Sequence, residues 1–108
     1  TPGPTDFILR LAKERRLLLA KKTLPKSMPF YFHYKLNTVY FNAHPITTIK
    51  NRVFGTVKVL PVSYKVSNGD YGEDWLAINY RYLPVRSKGY NGKFGLRALS
   101  RLVSYRQY

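Results

Sequence analysis

The strongest periodicity in the chain is helical. Thr5-Asp6 precedes an apolar set at Phe7, Ile8, Leu11, Leu18 and Leu19, while Arg10, Lys13, Arg16 and Lys21 fall mostly on the other positions. This spacing predicts an N-capped amphipathic helix over about residues 6–22. Asp6 suits the positive end of its dipole and Lys21-Lys22 the negative end, and Pro25 blocks further propagation. From Phe30 to Phe41 the residues are aromatic or β-branched with loose alternation, but Asn37 and the prolines at 29 and 45 leave strand and helix both open. Val57 and Val59, then Val62, Tyr64 and Val66, alternate across Pro61 with Lys58, Ser63 and Lys65, as in a half-buried strand. Asn68-Gly69 then signals a turn, because both residues tolerate positive φ. Leu76, Ile78, Tyr80 and Tyr82 alternate with Ala77, Asn79 and Arg81 and predict a second strand, so the pair reads as an antiparallel hairpin with Asp70, Glu73 and Asp74 in its loop.

Beyond Pro84 the chain becomes basic and glycine-rich, from Arg86-Ser87-Lys88-Gly89 to Asn91-Gly92-Lys93-Phe94-Gly95, and is expected to be a loop whose backbone approaches phosphates closely. Leu96, Leu99 and Val103 stand at helical spacing with Arg97 and Arg101 four apart, yet Ser100, Ser104 and the short length fit an extended basic tail equally well. The expected fold class is α+β: an N-terminal amphipathic helix, a small antiparallel sheet with a central hairpin, a basic Gly-rich loop and a C-terminal tail. Residues 1–24 are expected to form a helical extension, and residues 25–108 a single small domain.

Charge narrows the function. The 108 residues contain 19 Lys+Arg against 5 Asp+Glu, a formal net charge of +14 in a chain too short for more than one domain. Such a charge repels itself in isolation, whereas a polyanion neutralises it and releases counterions, so nucleic acid is the natural partner. No apolar run is long enough to span a bilayer. Cysteine is absent, which excludes disulfides, Cys-based zinc sites and a thiol nucleophile. Hydrophobic residues at 44% and aromatics at 16% exceed what a disordered basic tail carries, so at least part of the chain folds. A basic amphipathic helix also suits a mitochondrial targeting element, but Asp6 and Glu14 argue for a retained, RNA-facing extension.

Candidate catalytic chemistry is sparse. His33 and His44 lack metal-ligand spacing and a neighbouring carboxylate, and the acidic residues at 70, 73 and 74 are assigned to a hairpin tip rather than a cleft. Gly89-Tyr90-Asn91-Gly92-Lys93-Phe94-Gly95 lacks the Gly-Lys-Ser/Thr ending of a nucleotide-binding loop and suits a backbone clamp on RNA better. The chain is therefore expected to be a non-enzymatic RNA binder with no cofactor, metal or small-molecule substrate. Lys88, Lys93, Arg97 and Arg101 are the first candidates for phosphate contact, followed by Arg86, Lys50 and Arg52; Tyr90 is a candidate either for stacking on exposed bases or for packing beneath the loop, and Phe94 is expected to pack there.

Several of these residues resemble a known family. Lys93-Phe94-Gly95, then Ala98-Leu99-Ser100-Arg101 and Tyr105-Arg106, are similar to the His-Lys-Phe/Leu-Gly-Glu-Phe-Ala-x-Thr-Arg signature and basic tail of the universal small-subunit ribosomal protein S-nineteen family. Val66-Ser67-Asn68-Gly69 resembles its Val-Tyr-Asn-Gly turn. Lys26-Ser27 with Pro29-Phe30 resembles its Arg-Ser-x-x-Lys-Gly-Pro-Phe segment, and Pro45-Ile46, Thr48 and Arg52 its Ile-x-Thr-x-Ser-Arg stretch. The resemblance covers roughly Pro25 to Arg106, and its specific part is the C-terminal signature. There the family's Gly-His is replaced around Asn91-Gly92 and its Glu-Phe by Leu96-Arg97, and the hairpin loop is longer than the family's.

The resemblance implies a divergent, organellar version of the family: a small α+β domain in the head of the small ribosomal subunit, bound to rRNA beside the S-thirteen ribosomal protein, with an extended C-terminal segment. The expected location is the mitochondrial ribosome, with plastid and cytosolic ribosomes as alternatives. The competing functional expectations are a large-subunit or lineage-specific mitoribosomal protein and a basic accessory subunit of a respiratory complex, which would hold its helix against anionic lipid.

Overall fold

The computed structural model describes residues 4–32, 35–92 and 95–101. A helix, α1 (Pro4–Leu19), is followed by β1 (Ser27–Phe32), β2 (Lys35–Ala43), β3 (Thr47–Asn51), β4 (Gly55–Val66), β5 (Tyr71–Ala77), a 3-10 turn at Ile78–Tyr80, β6 (Leu83–Asn91) and β7 (Gly95–Arg101). The strands form one antiparallel sheet in the order β1-β2-β4-β5-β6-β7, with β3 paired to the remaining length of β4. The protein is thus a mostly antiparallel sheet with one helix, an α+β arrangement.

α1 ends earlier than its period suggests. Lys22 N–H reaches the Leu17 carbonyl and Lys21 N–H the Leu18 carbonyl, both at 3.0 Å, with Lys21 left-handed at φ 59°. This pairing closes the last turn as a Schellman cap and stops the helix at Leu19, well before Pro25. The helix packs against the sheet: Arg10, Leu11 and Glu14 are buried and Arg10 bonds to β5.

β4 is the organising strand. Its pairing with β5 runs without a register shift from Val59↔Ala77 to Lys65↔Tyr71, so its side chains alternate between faces along that whole length. The buried residues change phase at Pro61: Val57 and Val59 lie on one face, whereas Val62, Tyr64 and Val66 lie on the other. Two cores result. Val39, Tyr64 and Val66 with Phe41 form one, on the helix side, and Val57, Val59, Ala77 and Val85 with Ile49, Phe54, Trp75 and Tyr80 form the second, on the opposite face. Pro61 has no N–H to give a neighbour, and the break between β2 and β3 falls beside it, with His44 N–H donating to the Pro61 carbonyl at 2.8 Å.

Three sequence expectations change. The segment 30–41, open between helix and strand, pairs as β1 against β2 from Ser27↔Tyr40 to Phe32↔Lys35. The strand expected at 76–82 lies instead at Tyr71–Ala77, and the chain then turns through Ile78–Tyr80 and the left-handed Arg81 and Tyr82. Tyr80 leaves the alternation to stack on Phe54, with ring centroids 3.7 Å apart, which caps the second core. Finally, the basic Gly-rich stretch is not a loop over the described residues, and the segment from 96, open between helix and extended tail, is extended as far as Arg101. They are β6 and β7, paired from Arg86↔Arg101 to Asn91↔Gly95 with a bulge near Gly89. Glycine content misled here, since Gly95 supplies a positive φ of 80° after Gly92. Lys93 and Phe94, and the tail from 102 to 108, lie outside the described residues.

The β4–β5 turn carries positive φ at Gly69 (99°), but not at Asn68. Asn68 Oδ1 instead accepts from Asp70 N–H at 2.9 Å, and Gly69 N–H donates to the Val66 carbonyl at 2.9 Å.

Candidate nucleic-acid interface

The acidic residues come first, because their placement decides what the surface shows. Among the acidic residues with described side chains, Glu14, Asp70 and Asp74 are buried and Glu73 is exposed. Asp74 belongs to β5, not to a hairpin tip, and faces the helix. There Arg10 Nη1 donates to Asp74 Oδ2 at 2.8 Å and to Glu14 Oε1 at 2.6 Å, and the guanidinium lies 3.5 Å from the centre of the Tyr64 ring. The i,i+4 spacing puts Arg10 and Glu14 on one helical face, and the match of Val62 to Asp74 and Tyr64 to Gly72 brings both sheet partners beneath it.

Protonation follows from this geometry. Two buried carboxylates around a single cation would leave one uncompensated negative charge. Burial raises the Glu14 carboxyl from its ordinary value near 4.5 to about 8; Arg10 opposes that rise and the Asp74 charge adds to it. Glu14 is then mainly neutral at pH 7 and the cluster balances. Burial alone would lower Arg10, but Asp74 and Glu14 outweigh it and hold the guanidinium charged. The Tyr64 hydroxyl is pushed up to about 12, chiefly by burial.

Beyond the second core, the other face of the sheet is open where β2, β4, β5 and β6 lie side by side and collects a different set of side chains. The register brings Tyr40, Lys65, Tyr71 and Tyr90 into one row across four strands. Two residues further along, Asn42, Ser63, Glu73 and Lys88 make a second row, and Leu99 pairs with Lys88 from β7. Pro61, Trp75 and Arg86 make a third. Tyr71 and Tyr90 stack with centroids 4.9 Å apart and planes 5° from parallel. Arg86 and Lys88 lie over Trp75, with Arg86 Cζ at 5.4 Å and Lys88 Nζ at 5.7 Å from the ring centre. Tyr40 is 54% and Tyr71 41% exposed, so aromatic surface reaches solvent among the cations.

The residues selected from the sequence are divided by this fold. Arg86, Lys88 and Tyr90 come together on the open face. Lys50 and Arg52 are exposed at the β3–β4 end of the sheet, separate from that group. Backbone pairing puts Arg101 opposite Arg86, and Arg97 also belongs to β7; Lys93 lies outside the described residues. Sequence reasoning missed Tyr40, Lys65, Tyr71 and Trp75. The alternation through 71, 73 and 75 was the available signal, but the acidic residues among them read as a loop. His44 bonds to Ser63 Oγ at 2.9 Å. No helix among the described residues is long and apolar enough to cross a membrane.

Comparisons with family models, with curated proteins and with solved structures each return no match.

Proposed function

We propose that this chain is a structural RNA-binding protein of a ribonucleoprotein particle, holding RNA in register rather than catalysing a reaction. One observation carries the reading: burial removes Glu14, Asp70 and Asp74 from the surface, while Arg10 is the one buried member of the Lys and Arg set among the described side chains. Among the described side chains, the exterior is therefore more basic than their composition alone implies. Phosphates answer that surface better than any small ligand, through counterion release.

The small ribosomal subunit is the proposed particle, on the strength of the S-nineteen-like residues between Lys93 and Arg106, with rRNA and the S-thirteen protein as neighbours and the mitochondrion as compartment. Arg86, Lys88, Lys50 and Arg52 are the proposed phosphate contacts among the described side chains, and Lys93, Arg97 and Arg101 join them through the signature. Sedimentation of the tagged full chain, with and without ribonuclease, tests the reading. Co-migration with the small subunit that ribonuclease abolishes is expected. Migration with the large subunit would replace the particle, and a detergent-sensitive, ribonuclease-resistant association would replace RNA with an anionic membrane complex.

A further inference from the structure

We infer that the open sheet face is a platform for a single-stranded RNA segment, its bases stacked on Tyr40, Tyr71 and Tyr90 and its phosphates met by Lys65 and, over the Trp75 ring, by Arg86 and Lys88. The inference rests on the RNA-binding reading above and adds the form of RNA and the surface that takes it. A duplex hides its base faces and is held mostly through phosphates and 2′-hydroxyls, so exposed rings add little to holding it. A single strand offers a π-face at every nucleotide, and such platforms combine rings with a cationic track. Both components are present in ordered rows.

Neighbouring strands lie about 4.8 Å apart, so the row Tyr40, Lys65, Tyr71, Tyr90 runs across four adjacent strands with a cation inside it. The two stacked tyrosines have nearly parallel planes, and Tyr71 is among the exposed large side chains. Beside the row, Lys65, Val66, Gly69, Asp70 and Tyr71 line an open depression of about 440 Å³. Glu73, opposite Lys88, is the exposed carboxylate on this face among the described residues, and the Asp70 carboxylate in the depression is buried and accepts from Asn68 Nδ2 and Gly92 N–H. The remaining charge is positive, which commits the face to an anionic partner. Interior packing does not account for Tyr40, which is more than half exposed.

Trp75 is the single tryptophan of the chain and lies at the edge of the platform, beneath Arg86 and Lys88 and against the second core, so its fluorescence reports occupancy of that site. The test compares a labelled single-stranded RNA 12-mer, a hairpin duplex of equal phosphate number and an abasic strand, each titrated into the full chain at the same series of ionic strengths. The single strand is expected to bind at least ten-fold more tightly than the other two and to quench Trp75. Tyr40→Ala and Tyr71→Ala should each lower its affinity by about ten-fold without changing the salt slope. Tyr71→Phe should restore binding, and Lys65→Gln should lower the slope by about one. Tyr40→Ala guards against misfolding, since that ring is outside both cores. Equal affinity for duplex or abasic strand, or an unchanged Trp75 emission at saturation, would overturn the platform while leaving ribonuclease-sensitive sedimentation intact. Failure to bind RNA in any form would remove both readings.

Discussion

Arg10 and Arg86 occupy the two sides of the same sheet and meet opposite surroundings. Arg10 is held between Glu14 and Asp74 under the helix, with its charge cancelled inside the protein. Arg86 lies over Trp75, and neither it nor Lys88 is in an ion pair among the described residues. The contrast separates two uses of cationic side chains. A buried guanidinium fixes where the helix docks, because two carboxylates and the Tyr64 ring determine its position together. A guanidinium on an aromatic surface keeps its charge for a partner. Counting basic residues merges these roles, whereas their distribution over the two faces distinguishes them.

The largest expected effect is on the helix side. Arg10→Met leaves Glu14 and Asp74 buried without their cation and should destabilise the protein by about 3–5 kcal/mol, measured by urea unfolding. Arg86→Met, on the other face, should change stability by less than about 0.5 kcal/mol. Equal losses at the two positions would abolish the distinction.

pH should separate the faces next. Because the folded state raises Glu14 to about 8 from an ordinary value near 4.5, the folded protein binds more protons than the unfolded chain across that window. Its stabilising contribution is complete below the unfolded value and is lost as pH rises through about 8. The melting temperature should fall from pH 5 to pH 9, by an amount equivalent to a few kcal/mol, and Glu14→Gln should flatten the curve.

A smaller effect sharpens the packing under Arg10. Gly72 lies opposite Tyr64, and a Cβ there would collide with the Tyr64 hydroxyl and with the backbone carbonyl of Lys88. Gly72→Ala should cost about 2 kcal/mol by overpacking, whereas Tyr71→Ala, one residue away on the open face, should cost less. Thermal melts of the two variants give the comparison.

Much of this was readable locally, but each feature for a different reason. The helix was legible because Phe7, Ile8, Leu11, Leu18 and Leu19 repeat at its period, and β4 because valines alternate with lysines. The phase change at Pro61 was also visible in the spacing of Val59 and Val62, yet it gains meaning only when β5 is known to pair without a bulge. Asp74 was misread because its partner Arg10 lies 64 residues away and no local pattern reports that contact. The strands at 83–91 and 95–101 were hidden by glycine and lysine content. Tyr71 and Trp75 were missed with β5, since acidic neighbours at 70, 73 and 74 imitate a solvated turn. Lys88 and Arg86 were identified from charge alone, and the fold adds the aromatic ring beneath them.

The central claim is that cations left outward by this fold hold RNA through phosphates. Measuring the affinity of the full chain for structured RNA between 50 and 300 mM salt tests it most directly. Each phosphate contact contributes a slope of roughly 0.7–0.9 in log Kd against log salt, so four or more contacts predict a slope near 3 or steeper. A flat response, with affinity unchanged across that range, would contradict the account.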